Sequence, residues 1–204
     1  MKRLLLLLPV LLLFAAPAAQ AAPSCTRDGA KLLAASGSVR VVSLKGTRGK
    51  TETRHDRVLG CRTSNGRRFT MFESVDHGED SIQHDTFTIY GNRYVGVDTT
   101  IEGGASLDRR AATYDTNARK RLHTTQPCDA FDRGDVGGIV DVVFFKNGAM
   151  AYACGQLRIA DGKGDRQLEP EGTTVGRLAV SGTNMDFGPR LYWTANGTVK
   201  SLDL

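Results

Sequence analysis

The sequence has few signals for α-helix, and it lacks several short motifs that mark catalytic or metal sites. No two cysteines are separated by two residues, which excludes a CxxC zinc ribbon or redox dithiol. The pattern Gly-x-Ser-x-Gly is absent, so the chain has no nucleophile elbow of the α/β-hydrolase type. Only 25–36 and 105–112 have the composition of short helices, and neither is long enough to be stable alone. We therefore expect most of the chain to form strands.

The beginning of the chain has the three parts of a secretory signal peptide. Lys2 and Arg3 form a positive start, 4–16 is leucine-rich, and small residues follow at the spacing of a cleavage site. Prolines interrupt the apolar run, which disfavours an uncleaved membrane anchor. We expect residues 1–22 to be removed and residues 23–204 to fold as a single secreted domain, with no further membrane association.

The charge of the mature chain is small. The sequence has 27 Lys and Arg against 22 Asp and Glu, and two of the basic residues belong to the signal peptide, so the mature net charge is +3. Aromatic residues do not alternate with the basic ones, and we therefore expect no nucleic-acid partner. Nothing in the sequence points to a cofactor.

Four cysteines follow the signal peptide, at Cys25, Cys61, Cys128 and Cys154. An even number of cysteines in an exported protein predicts two disulfides, and four cysteines allow three connectivities. We favour Cys25–Cys61 and Cys128–Cys154, because each pair closes a short loop within one half of the chain.

Short alternating segments bounded by turn residues predict an antiparallel all-β fold. Val39 to Leu44 and Thr86 to Tyr90 alternate apolar and polar residues, as a half-buried strand does. Asn-Gly occurs at 65–66, 147–148 and 196–197, between pairs of such segments. Asn-Gly is typical of type I′ hairpin turns, in which both central residues have positive φ. We therefore predict three such hairpins.

Several of the predicted hairpins resemble one another. A turn followed by an apolar run with an aromatic residue recurs in "YGNRYVGVD" at 90–98, "KNGAMAYAC" at 146–154 and "GPRLYWTAN" at 188–196. The period is close to the 40 to 50 residues of a propeller blade. The sequence therefore predicts four approximate units, at 39–73, 86–125, 139–168 and 176–204.

These patterns resemble the secreted bacterial β-propeller-like repeat proteins. The resemblance rests on a cysteine shortly after the signal peptide, on "GxxYxxC"-like strands, and on a last blade that reads roughly LYWT-x-NG-T-V-x-S-L; residues 139–204 fit best. It implies a propeller-like fold and supplies no functional residues. A β-sandwich of short strands is the alternative. In either fold we expect Trp193, the only tryptophan, to lie in the core.

One segment concentrates side chains that could bind a metal ion. Residues 74–87, which we interpret as a loop, include Asp76, His77, Asp80 and His84. Imidazole nitrogens and carboxylate oxygens are suitable ligands for zinc and similar divalent ions. A solvated acidic loop without a metal explains the same composition.

The leading functional prediction is a secreted, non-catalytic binding module with an unknown extracellular ligand, such as a glycan or cell-wall polymer. The prediction rests on a repeat scaffold, paired cysteines and the lack of a catalytic motif. The first alternative is a metal-dependent extracellular hydrolase that uses the 74–87 segment. The second is a structural extracellular protein.

Overall fold

The computed structural model describes residues 24–46, 54–76, 81–103, 106–126, 139–181 and 189–204. These residues form strands and turns and no helix, so the predicted all-β class is confirmed. Accordingly, the described part of the chain contains no helix that could cross a membrane. The strands are β1 (Lys31–Ser36), β2 (Val39–Leu44), β3 (Arg54–Arg62), β4 (Arg68–Asp76), β5 (Ser81–Tyr90), β6 (Tyr94–Gly103), β7 (Ser106–Asp115), β8 (Lys120–Thr124), β9 (Asp141–Phe144), β10 (Met150–Ala153), β11 (Leu157–Asp161), β12 (Gly164–Glu169), β13 (Ala179–Ser181), β14 (Arg190–Ala195) and β15 (Thr198–Asp203).

The strands form four antiparallel sheets, and each sheet uses consecutive strands in chain order. Sheet A contains β1–β4, sheet B β5–β8, sheet C β9–β12 and sheet D β13–β15. All strand pairs within them are antiparallel, so each sheet is a simple meander. Four sheets are two more than the alternative β-sandwich would have.

The two predicted short helices are wrong. Within 25–36, residues 31–36 form strand β1 and pair with β2, and within 105–112, residues 106–112 belong to β7. Alanine and leucine favour helices only weakly, and pairing with an adjacent strand outweighs that preference. In β7, Ala111 and Ala112 are also needed as small residues on the two faces of sheet B, each of which packs against a neighbouring sheet.

Adjacent sheets pack face to face in chain order. Val41 of sheet A and Val97 of sheet B belong to one buried cluster, and Ala111 of sheet B and Tyr152 of sheet C belong to another. Leu191 of sheet D packs with residues of sheet C in a third cluster. Each interior sheet therefore buries both faces, which explains why apolar residues occupy consecutive positions in β10 and not alternate ones.

Sheets B and C approach each other closely at one glycine. A Cβ atom on Gly96 of β6 would lie 2.5 Å from the ring of Phe144 of β9. Such a separation is well inside van der Waals contact, so the ring packs directly on the backbone of β6. The lack of a side chain at residue 96 therefore places the edge of sheet C beside the face of sheet B.

The turn types differ from the prediction at two of the three Asn-Gly sites. Asn196 and Gly197 both have positive φ, as a type I′ turn requires, so that prediction is confirmed. At 65–66 and 147–148 only the glycine has positive φ. Both of these loops contain additional residues; in the second, the Phe145 N–H donates to Ala149 O across three loop residues. Loops of that length favour a type I turn that ends on glycine.

The outer face of sheet A is covered by the segment that precedes β1. Cys25 forms a disulfide with Cys61 of β3, which confirms the first predicted pair. Both cysteines belong to a small buried cluster with Val42 and Leu59. Cys128 lies outside the described residues, so its pairing with Cys154 stays a prediction, as does the signal peptide at residues 1–22.

Candidate functional site

The predicted metal-binding residues are only partly described. Asp76 is the last residue of β4, and His84 lies exposed on β5 opposite Thr100. His77 and Asp80 lie outside the described residues. Within the part of the chain that the structure describes, no three His, Cys, Asp or Glu side chains converge as a metal site would require. The metal site stays a prediction.

The segment 74–87 is mainly strand, so its interpretation as one loop is wrong. Residues 74–76 complete β4, and 81–87 belong to β5. Alternating residues such as Ile82 and His84 lie on one face of β5 and Gln83 and Asp85 on the other. Charged and polar residues occur there because this end of β5 is partly open to solvent. Asp85 and His84 therefore lie on opposite faces of β5.

The described residues line a cleft of about 530 Å³ where sheets B, C and D meet. Its volume is in the range of known ligand sites. Three sheets line it: sheet B through the side of β5 and β6 that faces sheet C, sheet C through its edge strand β9, and sheet D through β13 and the residues beside it. The cleft therefore lies among the first strands of three successive sheets. The residues that line it are Thr86, Thr88, Tyr90, Asp98, Val142, Val143, Phe144, Lys146, Leu178, Ala179, Val180, Ser181 and Pro189.

The wall formed by sheet B carries a row of hydroxyl groups. Thr86, Thr88 and Tyr90 are alternate residues of β5, so their side chains share one face. Burial raises the pKa of the Tyr90 hydroxyl, and a hydrogen bond with the Thr88 side chain opposes that shift. The Tyr90 ring also lies 6.3 Å from the ring of Phe144, tilted by 49°. This wall offers neutral hydrogen-bonding groups beside an apolar floor.

Beside the cleft lie partly buried charged groups that already have partners. Arg109 donates from Nε and Nη2 to the two carboxylate oxygens of Asp98, at 2.9 and 2.7 Å. Its Nη1 also donates to the carbonyl of Val140, at 2.9 Å. On the neighbouring strand, Asp141 accepts hydrogen bonds from the N–H groups of Val142 and Leu178. These bonds tie sheets B, C and D together.

Where its lining meets solvent, at the mouth of the cleft, the cleft carries a positive charge. Lys146 follows β9, is exposed, and makes no ion pair with any described residue. Asp98 is neutralised by Arg109, so Lys146 is the uncompensated charge of the cleft lining. The cleft therefore combines an apolar floor, a hydroxyl wall and one cation at its mouth.

A second polar cluster, between sheets B and C, is partly buried. The Tyr152 hydroxyl donates to Asp165 Oδ2 at 2.7 Å and accepts from the N–H of Gln126 at 3.2 Å. Arg158 donates from Nε to Asp165 Oδ1 at 2.9 Å. Tyr152 has no exposed surface. A ligand could not reach this hydroxyl without separating the two sheets, so the cluster stabilises their packing.

Neither a protein-family model nor a curated protein matches the chain. The cleft therefore has to be interpreted from its own geometry. Sequence reasoning missed its residues, although "TFTIY" at 86–90 places a hydroxyl at every second position, which is the signal that could have found this wall. The opposite wall comes from residues almost a hundred positions later, and no local pattern connects the two.

Asp115 is a buried carboxylate whose replacement we expect to lower stability in a pH-dependent manner. It accepts hydrogen bonds from Arg93 Nε and Nη2 and from the N–H groups of Asn117 and Ala118. Burial opposes its ionisation, but these donors outweigh burial and lower the pKa of Asp115. A carboxyl group whose pKa is lower in the folded protein than in the unfolded chain stabilises the fold at pH values above the pKa of the unfolded chain. That stabilisation is lost as the pH falls through the pKa of the folded protein. Asp115→Asn should cost about 2 kcal/mol at pH 7.

The measurement is urea unfolding of both proteins between pH 7 and pH 2. The stability difference should shrink as the pH falls through the lowered pKa of Asp115, because the wild-type carboxyl group then becomes neutral. Asp108→Asn is the control, since that carboxylate is paired with Arg110 on the surface and an exposed pair contributes less than about 1 kcal/mol. A difference that stays constant with pH would contradict the assigned role of the charge.

Proposed function

We propose that the protein is exported and acts as a non-catalytic binding module with a propeller-like arrangement of sheets. Consecutive four-stranded meanders that stack face to face are the building principle of propeller blades. The order of sheets A to D along the chain supports that arrangement, as do the first strands that line a common cleft. The Cys25–Cys61 disulfide supports an oxidising compartment.

The observation that carries the proposal is the cleft among sheets B, C and D. A cleft of about 530 Å³ with a largely apolar lining and a few placed polar groups is typical of a ligand site. Its charged groups are either paired, as Asp98 and Arg109 are, or situated at the mouth, as Lys146 is. Such a lining favours binding and orientation of a ligand. The glycan or cell-wall polymer expected from the sequence is one ligand class to test.

The proposal is tested by blocking the cleft. Val180 lines the cleft and is 39% exposed, so Val180→Trp should fill the cleft without disturbing the core. Val199→Trp is the matched control, because Val199 is 72% exposed on β15 and does not line the cleft. Both variants are compared with the wild type for retention of cell-wall polymers, soluble polysaccharides and a displayed random octapeptide library.

We expect at least one ligand class to bind the wild type and the Val199→Trp variant, and to bind Val180→Trp about tenfold more weakly or worse, a loss of about 1.4 kcal/mol. Equal binding by the three proteins would place the ligand elsewhere. Binding of no ligand class to the wild type would argue against a binding module. Circular dichroism of the two variants checks that each retains the fold.

A further inference from the structure

We propose that the cleft binds an extended peptide segment of a partner protein, which adds a fifth strand to sheet C along β9. The inference rests on the proposed function and specifies its ligand class. Addition of a strand to an exposed sheet edge is a common way of recognising peptides, with main-chain hydrogen bonds supplying affinity and side-chain pockets supplying specificity.

The floor of the cleft is the edge of a sheet. Sheet C has the order β12-β11-β10-β9, so β9 has one neighbour, and no other described strand lies beyond it. Val142 and Phe144 point toward sheet B and Val143 toward sheet D, yet all three line the cleft. Only a cleft that runs along the edge of β9 can contact both faces of the strand. The unpaired side of β9 therefore faces the cleft.

The backbone groups of β9 that point into the cleft can be identified from the ladder. Phe145 donates its N–H to Ala149 O, toward the partner strand β10. Backbone groups alternate between the two sides of an antiparallel strand, so the N–H and C=O of Phe144 and the C=O of Val142 point away from β10. The N–H of Val142 already donates to Asp141 Oδ1. A ligand strand would meet one donor and two acceptors.

The two walls predict the side-chain pattern of the peptide. Successive residues of an added strand point alternately to opposite faces of the sheet. On one side they would meet the hydroxyl groups of Thr86 and Thr88, and on the other the apolar side chains of Leu178 and Val180. The preferred sequence should therefore alternate polar and apolar residues. The four residues of β9 correspond to a contact length of about 13 Å.

The charge at the mouth adds one more requirement. Lys146 follows the end of β9 and has no anionic partner among the described residues. A peptide aligned along β9 would extend past this amine. We therefore expect an Asp or Glu at the end of the bound segment that lies beside Lys146, and a binding affinity that falls with salt.

A glycan fits the same walls less well. Sugar recognition commonly uses an aromatic ring whose face is open to the ligand. Phe144 is only 8% exposed and packs against both Tyr90 and the backbone at Gly96. The Phe144 ring therefore presents no open platform, whereas β9 offers the cleft an unpaired backbone edge.

The test begins with selection from a displayed random octapeptide library on the wild type, with counter-selection on Val180→Trp. Enriched peptides are synthesised and titrated by fluorescence anisotropy. A second set carries an N-methyl group at one position at a time. In a strand that pairs on one side, alternate N–H groups face the partner edge. N-methylation should therefore weaken binding about fivefold to tenfold at two positions separated by one residue, whose N–H groups donate to the carbonyls of Val142 and Phe144, and should have little effect elsewhere; this is the loss expected for about one hydrogen bond.

Two further measurements check the geometry. Amide exchange at Phe144 should slow when the peptide is bound, and Lys146→Ala should weaken binding several-fold while Lys120→Ala, an exposed lysine on β8, leaves it unchanged. If the octapeptides are not enriched, or N-methylation acts without a two-residue period, strand addition is overturned. If peptides fail in this way but polysaccharides bind the wild type and not Val180→Trp, the binding-module proposal stands. Failure of every ligand class would overturn both.

Discussion

Trp193→Ala should lower the free energy of unfolding by about 4 kcal/mol, within the range measured for removing a large aromatic side chain from a core. Trp193 lies on β14 and is 7% exposed, in the cluster that joins sheets C and D. Its indole Nε1 donates to Glu169 Oε1 at 2.9 Å. Truncation would therefore open a cavity between the sheets and remove a hydrogen bond from a buried carboxylate.

Trp193→Phe separates these two contributions. Phenylalanine keeps an aromatic ring in the cluster but has no donor for Glu169. Glu169 would retain the Nζ of Lys200, at 2.7 Å, so its charge would keep one partner. The expected loss is about 2 kcal/mol, roughly the contribution of one hydrogen bond to a charged group together with a small packing defect.

Urea unfolding followed by far-ultraviolet circular dichroism is the suitable measurement, because Trp193 is the only tryptophan and its removal abolishes tryptophan fluorescence. Val199→Ala, at an exposed position of β15, is the control and should change stability by less than about 0.5 kcal/mol. Equal losses in the Phe and Ala variants would show that the hydrogen bond, and not ring packing, dominates at this site.

The burial of Trp193 was predictable because the signal is local. Leu191, Trp193 and Ala195 alternate with more polar residues in β14, and all three are buried against sheet C. Alternation depends only on the two-residue period of a strand, and hairpin pairing joins neighbours in sequence. The all-β class and the first disulfide were accessible for similar reasons.

The cleft was not predictable, because its walls are determined by contacts between sheets. Thr88 and Val180 lie ninety-two residues apart, and nothing in either segment identifies the other. The prediction of a short helix at 105–112 failed for a related reason, since the alanines of β7 are small where two neighbouring sheets approach. Composition alone cannot distinguish a residue that is small for packing from one that favours a helix.

Replacing both Cys25 and Cys61 with alanine should destabilise the protein by about 4 kcal/mol. The disulfide joins residues 36 positions apart, and the loop-entropy estimate for that length has this magnitude. Alanine is the appropriate replacement, because Cys61 is 1% exposed and a serine hydroxyl would be buried there without an assured partner. The m-value should rise as well, since an unfolded chain without the cross-link exposes more surface.

The disulfide also holds the segment before β1 against sheet A. Arg68 donates to the carbonyl of Arg27 at 3.2 Å and to the carboxylate of Asp28 at 2.6 Å, but these contacts are largely exposed and contribute little by themselves. Without the disulfide, the segment should detach and uncover Val42 and Leu59, which it otherwise buries. Trypsin should then cleave after Arg27 under native conditions much faster than in the wild type.

Comparison of the urea midpoint with the rate of cleavage after Arg27 distinguishes global destabilisation from local detachment of the segment. If the cross-link acts mainly on the unfolded chain, the urea midpoint falls and cleavage after Arg27 follows global unfolding. If the segment detaches from a sheet that stays folded, cleavage precedes any loss of circular dichroism. Leu59→Ala, which weakens the same buried cluster while the disulfide remains intact, supplies the reference for packing alone. An unchanged midpoint and an unchanged cleavage rate in the double cysteine variant would show that the fold does not depend on this cross-link.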